Sequence, residues 1–244
     1  MPKSIFLAGA SGAVGRRLVP LLVKAGHHVT GTTRAKEKAA ALRALGATPA
    51  VVDVFDMAAL KDAVQMAAPG VVIHQLTDLS LLAEPARRAE ALERNARLRI
   101  EGTANLVAAA LLSGARRMIA QSISFIYAPG RQPHAENAPL NLGADGTLAN
   151  TVKAVVALER EVTQTPGIEG IVLRYGHFYG PGTGRERAGA PPKGALHVDA
   201  AAHAALLAVE RGRPGIYNIA EDDGDVAIDK ARAEFGFDPG FRIN

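Results

Sequence analysis

The chain is predicted to be an α/β protein with a doubly wound, mainly parallel sheet, and three features of its 244 residues carry that prediction. Short β-branched apolar runs alternate with longer Ala-rich segments of helical period, the signature of βαβ units. Hydrophobic residues make up 48% of the chain, enough for a sizeable core, while aromatic residues are only 5% and Trp is absent, so that core must be aliphatic. The first strand runs straight into a glycine-rich turn that opens a helix.

The strands are expected at 4–8, 28–33, 48–52, 71–75, 117–122, 170–175 and 215–219, each a short run of mostly apolar residues. Between them helical periodicity predicts helices over 13–25, 35–45, 57–67, 85–112 and 147–163, then 199–210 and a short one at 228–235. Strands alternating with helices of this length imply right-handed crossovers and a sheet covered on both faces. The stretch 180–194 is rich in Gly, Pro and charge with no period, and reads as an exposed loop. The expected division is a main α/β domain over 1–176 and a small C-terminal appendage over 177–244 packed on the first.

Composition narrows the function. With no cysteine there is no disulfide, thiolate metal site or cysteine nucleophile. The N-terminal apolar run is too short for a signal peptide, and no stretch approaches the length of a membrane span, so a cytoplasmic protein without a membrane partner is expected. Net charge is +4 and the isoelectric point near 9.5, with pairs such as Arg16–Arg17 and Arg116–Arg117 but no basic run interleaved with aromatics. Nucleic acid is therefore not an expected partner. No metal site is expected either: His197 and His203, with Asp199 near by, stand six residues apart and fall on different faces of a helix. No Gly-x-Ser-x-Gly elbow is present, which argues against a hydrolase.

The turn reads Gly9-Ala-Ser11-Gly12-Ala13-Val14-Gly15. Gly9 suits the tight exit from the strand, Gly12 the approach of a pyrophosphate, and Gly15 the packing of the helix on the strand. The helix start then offers N–H groups and the positive end of its dipole to phosphates. At the end of the second strand an NAD site usually carries Asp or Glu; here stands Thr30-Gly-Thr32-Thr33-Arg34, with no acid before Glu37. Arg34 with a neighbouring threonine suits a 2′-phosphate, so NADP is expected over NAD.

The Gly-x-x-Gly-x-x-Gly spacing resembles the Rossmann-type short-chain dehydrogenase/reductase superfamily, and later segments resemble its extended branch, the NAD-dependent epimerase/dehydratase family. Val51-Val-Asp53 is similar to the family's third strand, which implies adenine contacts for Asp53 and Val54. Val72-Ile-His74-Gln75-Leu76 resembles the stretch that passes beneath the cofactor, and residues 95–110 the helix that follows. Leu173-Arg174-Tyr175-Gly-His177-Phe-Tyr179-Gly-Pro181 resembles a motif beside the nicotinamide, implying cofactor contact for Tyr175 and substrate contact for His177 and Tyr179. His197-Val-Asp199 resembles a motif near the substrate. In relatives the helices after the fourth and fifth strands pair across a dimer, so a homodimer is expected by analogy.

The family's Tyr-x-x-x-Lys is incomplete: Lys153 is in place, but four residues earlier stands Ala149. Counting back from Tyr127 puts Ile123 where Ser or Thr is expected, with Ser122 and Ser124 flanking it. The resemblance leaves a catalytic set of Lys153, Ser122 or Ser124, and Tyr127 as replacement proton donor, with Tyr175 and Tyr179 as further candidates. Lys153 is also expected on the nicotinamide ribose. The short region after Pro181 implies a small carbonyl or hydroxyl substrate and an NAD(P)-dependent oxidoreductase or epimerase-like activity. The alternative is a non-catalytic NADP-binding regulator.

Overall fold

The computed structural model describes residues 1–78, 81–82, 84–185 and 192–243. Its main sheet has seven strands, all parallel, in the order β3-β2-β1-β4-β5-β6-β9. They are β1 (Ser4–Ala8), β2 (His28–Thr33), β3 (Thr48–Val51), β4 (Val71–His74), β5 (Arg117–Ile123), β6 (Glu169–Tyr175) and β9 (Gly215–Ile219). The order reverses between β1 and β4, the position at which open α/β sheets hold ligands beyond the carboxyl ends of their strands.

Alternation along each strand divides the core. Ile5, Leu7, Ile73, Ile119 and Leu173 face one layer, with α1 (Gly15–Lys24), α2 (Ala39–Ala44), α7 (Val198–Leu207) and α8 (Asp229–Phe235). Phe6, Ala8, Val72, Met118 and Val172 face the other, with α3 (Met57–Ala67), α5 (Thr103–Ser113) and α6 (Gly146–Gln164). Burial on both faces explains why these strands read as unbroken apolar runs. Asp56 caps α3, its carboxylate accepting the Ala59 amide at 3.1 Å.

Three expectations change. The helix over 85–112 is built of a 3₁₀ turn at Pro85–Arg87, α4 (Arg88–Arg97), a π-helical segment at Leu98–Gly102, and α5. The helix over 35–45 begins as a 3₁₀ turn at Lys36–Lys38. The loop 180–194 is bracketed by two unforeseen strands, β7 (His177–Tyr179) and β8 (Ala195–His197), which pair in parallel; residues 186–191 of that loop lie outside the described residues. At three residues each, these strands are too short to show a period.

The C-terminal region builds no core of its own. β9 pairs with β6 over residues 215–219, and small buried residues of α7, Ala201, Ala204 and Ala205 among them, share one apolar cluster with Leu18 and Leu22 of α1. Arg17 Nε donates to Asp199 at 2.5 Å and ties α7 to α1. No helix among the described residues is long and apolar enough to cross a membrane.

Candidate functional site

A cleft of about 820 Å³ opens along the carboxyl ends of β1 to β4. Gly9, Ser11 and Gly12 form its floor. Gly9 has φ +90°, and a Cβ there would lie 2.6 Å from the Gln75 carbonyl oxygen, so two strand ends close on it. A Cβ at Gly15 would fall 2.2 Å from the Gly9 carbonyl oxygen, which lets α1 start hard against the turn. Gly12 is less confined, with 3.3 Å to the same oxygen. Ala13 and Val14 pack into the core and turn no side chain to the cleft. Among the described residues, the amides of Ser11, Ala13 and Val14 make no hydrogen bond, leaving donors at the positive end of α1.

The far end of the cleft is polar. Thr33 is buried, its hydroxyl accepting from the Ala35 amide at 3.2 Å. Arg34 is exposed, 3.7 Å from Asp78, and Lys36 and Lys38 line the same end. Asp53 accepts the Phe55 amide at 2.9 Å, which shapes the turn after β3, and Val54 is buried with its carbonyl held by Asn105 at 2.9 Å. Arg97 lies over the Phe55 ring, 4.1 Å from its centroid.

Beneath the cleft, His74 accepts the Leu76 amide on Nδ1 at 3.2 Å, so its Nε2 carries the proton and donates to the Thr103 hydroxyl at 3.1 Å. Burial, and secondarily the charge of Arg99, lower its pKa to about 4, so the ring is neutral. Gln75 donates to the Tyr175 hydroxyl at 3.2 Å, and its Oε1 is buried without a partner. Leu76 lines the cleft wall.

The expected catalytic residues disperse. Ser122 is a correction: it is buried and its hydroxyl donates to Glu159 at 2.7 Å, on the sheet face covered by α6, so it cannot polarise a substrate oxygen. Tyr127 is a second. Its hydroxyl donates to Asn218 at 2.6 Å and accepts from Arg174 at 2.8 Å, and burial raises its pKa although Arg174 pulls the other way. Arg174 grips Glu159 with both arms, Nε at 2.8 Å and Nη2 at 2.7 Å, and reaches the Glu136 carbonyl at 3.0 Å. Ser122, Glu159, Arg174, Tyr127 and Asn218 therefore form one buried, mutually satisfied network joining β5, α6, β6 and β9.

Tyr175 is a third correction: it is fully buried and donates to the Ala201 carbonyl at 3.2 Å, touching the cleft only through Gln75. Tyr179 donates to Glu221 and accepts from Arg242 at 3.0 Å, and burial, reinforced by Glu221, raises its pKa. Ser124 is buried with a hydroxyl that has no partner. Lys153 is exposed, on the side of α6 away from its buried stripe of Thr151, Val152, Ala154, Val155, Leu158, Glu159 and Val162.

Two features were missed. Phe125, just past β5, is 43% exposed and stacks on His177 with centroids 4.0 Å apart and planes at 12°. This pair is an aromatic wall at the carboxyl ends of β5 and β6; only tertiary pairing of those ends joins two rings 52 residues apart. Glu159 carried a visible signal, a carboxylate on an otherwise apolar helical stripe, which asks for a buried cation.

The profile of the NAD dependent epimerase/dehydratase family matches residues 5–193. A 3-diazoavenalumate denitrifying reductase of Streptomyces sp is 42% identical over 238 residues, covering 90% of this chain and 76% of the reductase. Among solved structures, UDP-glucose 4-epimerase of Thermotoga maritima superposes with a TM-score of 0.75 at 18% identity, over 98% of this chain and 94% of the epimerase. The Bordetella bronchiseptica enzyme WbmG, in complex with NAD and UDP, gives 0.74 at 18% identity, over 100% of this chain and 91% of WbmG. At these identities the structures speak for the fold.

Proposed function

The chain belongs to the NAD dependent epimerase/dehydratase family, and on that premise we propose that it is an NADP(H)-dependent reductase of a small aryl diazonium compound, a reaction that asks no proton from a tyrosine. One observation carries the reading. Ala149 stands where the family's tyrosine is expected, and all four tyrosine hydroxyls of the chain donate to protein acceptors: Tyr127 to Asn218, Tyr175 to Ala201, Tyr179 to Glu221, and Tyr217 to Glu234 or the Arg213 carbonyl. The cleft survives while the general acid is gone.

The residues present fit the cofactor. The unpaired amides at the start of α1 suit a pyrophosphate, Asp53 and Val54 an adenine, and the orphaned Gln75 Oε1 a carboxamide or hydroxyl donor near the switch point. Thr33 and Arg34, with Lys36 and Lys38, suit a 2′-phosphate. When bound in its reduced form, the cofactor supplies a hydride. Lys153 is left the ribose contact that the family resemblance implies.

A diazonium carbon that takes up a hydride gains a C–H bond while its C–N bond breaks and the nitrogen leaves as N₂ with that bonding pair. Atoms and charge balance with no proton exchanged, so a site without a proton donor suffices. The protein's tasks are then to orient the substrate and exclude water. The Phe125–His177 wall suits a flat substrate, and the reductase relative supports the same chemistry. The test is to mix the protein with NADPH and an arenediazonium salt and follow cofactor oxidation together with N₂ release. Oxidation well above the protein-free rate, at one N₂ per NADPH, is expected. Tight NADPH binding with no oxidation across diazonium and small carbonyl compounds would instead favour the regulator.

A further inference from the structure

The π-helical segment between α4 and α5 carries, among the described residues, an unpaired cation next in sequence to a residue of the cleft wall. Leu98 of this segment lines the cleft, Thr103 just past its end holds His74, and a Cβ at Gly102 would lie 3.3 Å from Val54 and Leu98, so this stretch faces the sheet. Arg99 lies within it, half-buried, close enough to the imidazole at the end of β4 for its charge to act there. Among the described residues it has neither hydrogen bond nor ion pair, whereas the neighbouring Arg97 and Arg94 are each bonded to a glutamate. Burial alone pulls its pKa to about 10, with no carboxylate opposing the shift.

A guanidinium withdrawn from water normally has a carboxylate to answer it. A π-segment widens the helix at one place and is frequent at functional sites. This one packs against α6, the helix that carries Ala149 and Lys153. The glycine turn lines the same cleft as Leu98, and its unbonded amides at the start of α1 would supply the donors for a cofactor's own phosphates.

We infer that Arg99 is the anchor for a carboxylate on the substrate, so that the enzyme selects planar carboxylates over their neutral counterparts. That the bound carboxylate is a substrate rests on the reductase reading; that Arg99 binds a carboxylate does not. The fork of a guanidinium matches a carboxylate at two points, and such charge-assisted pairs are worth about 10- to 100-fold in affinity.

The experiment is calorimetric titration of the NADP⁺-loaded protein with cinnamate and with cinnamamide, so that its outcome is independent of turnover. Wild type is expected to bind cinnamate at least about 10-fold more tightly than the amide. Arg99→Met should erase that preference, and Arg99→Lys should keep part of it. NADPH affinity should be unchanged in both variants. Because Arg99 has no partner to lose, Arg99→Met should melt no lower than wild type, which separates an anchor from a structural arginine. Equal affinity of wild type for acid and amide, or a preference that survives in Arg99→Met, overturns the proposal. A parallel fall in NADPH affinity would reassign Arg99 to a cofactor phosphate and overturn it too.

Discussion

Tyr127→Phe separates a structural tyrosine from a catalytic one. The substitution removes a single oxygen and keeps the ring, including its stacking on His134 with centroids 5.1 Å apart and its place beneath the Arg174 guanidinium. Lost are the donor to Asn218 at 2.6 Å and the acceptor for Arg174 at 2.8 Å. Asn218 Oδ1 is then left without a donor, although its amide nitrogen keeps the His134 and Ala227 carbonyls at 3.0 and 3.2 Å. Arg174 keeps both bonds to Glu159. One buried acceptor unsatisfied, in a network whose other members hold, corresponds to about 1–3 kcal/mol. For a chain of this size each kcal/mol moves Tm by about 2–4 °C. The assay is thermal and urea unfolding alongside NADPH-dependent turnover under conditions where the variant is folded. A fall in Tm of several degrees with kcat within about 3-fold of wild type is expected, whereas loss of a proton donor would cost about 100-fold or more. An unchanged Tm with a collapsed kcat would refute the structural assignment.

Further predictions follow from the same geometry. Gly9→Ala sets a Cβ 2.6 Å from the Gln75 carbonyl oxygen at a φ of +90°, and should abolish NADPH binding in a fluorescence titration while losing stability. Glu159→Gln leaves the buried Arg174 charge without its carboxylate and should destabilise by about 3–5 kcal/mol, read as a fall in the urea midpoint. His74 is held neutral when folded, with a pKa of about 4 against 6.5 in the open chain, so between those values only the unfolded state takes up the proton. The contribution is complete above pH 6.5 and is lost as pH falls toward 4, about 3 kcal/mol in all; His74→Asn should flatten that part of the stability–pH curve. Arg34→Ala should weaken NADPH binding about 10-fold or more while leaving NADH little changed, measured as the ratio of the two Kd values.

Much of this architecture was legible in the residues. A strand such as 4–8, apolar on both faces and feeding a glycine turn and an amphipathic helix, has one ready interpretation, and the structure adopts it. The residues expected at a cofactor, the glycine turn, Thr33–Arg34, Asp53–Val54 and Gln75–Leu76, line one cleft because each lies at a strand end or the turn beyond it. The substrate half was harder for a physical reason. Whether Ser122 faces a ligand or a carboxylate depends on which helix covers its strand, and Glu159 lies 37 residues away. The β7–β8 pair joins His177 to Ala195 across a loop with no period, and three residues cannot announce a strand. The π-segment is likewise silent, because one wide turn leaves the overall helical spacing almost intact. The missing tyrosine was visible directly, as Ala149, but that no other tyrosine is free to replace it could be seen only in three dimensions.

The most direct test of the central claim follows the hydrogen itself. The protein is supplied with NADPH deuterated on one or the other face of the nicotinamide C4, together with an arenediazonium substrate, and the arene product is analysed by mass spectrometry. The account predicts that deuterium from one isotopomer, and not from the other, replaces the departing nitrogen, in step with cofactor consumed. Equal transfer from both faces, or an arene hydrogen drawn from solvent, would contradict a site that positions a hydride donor and needs no proton.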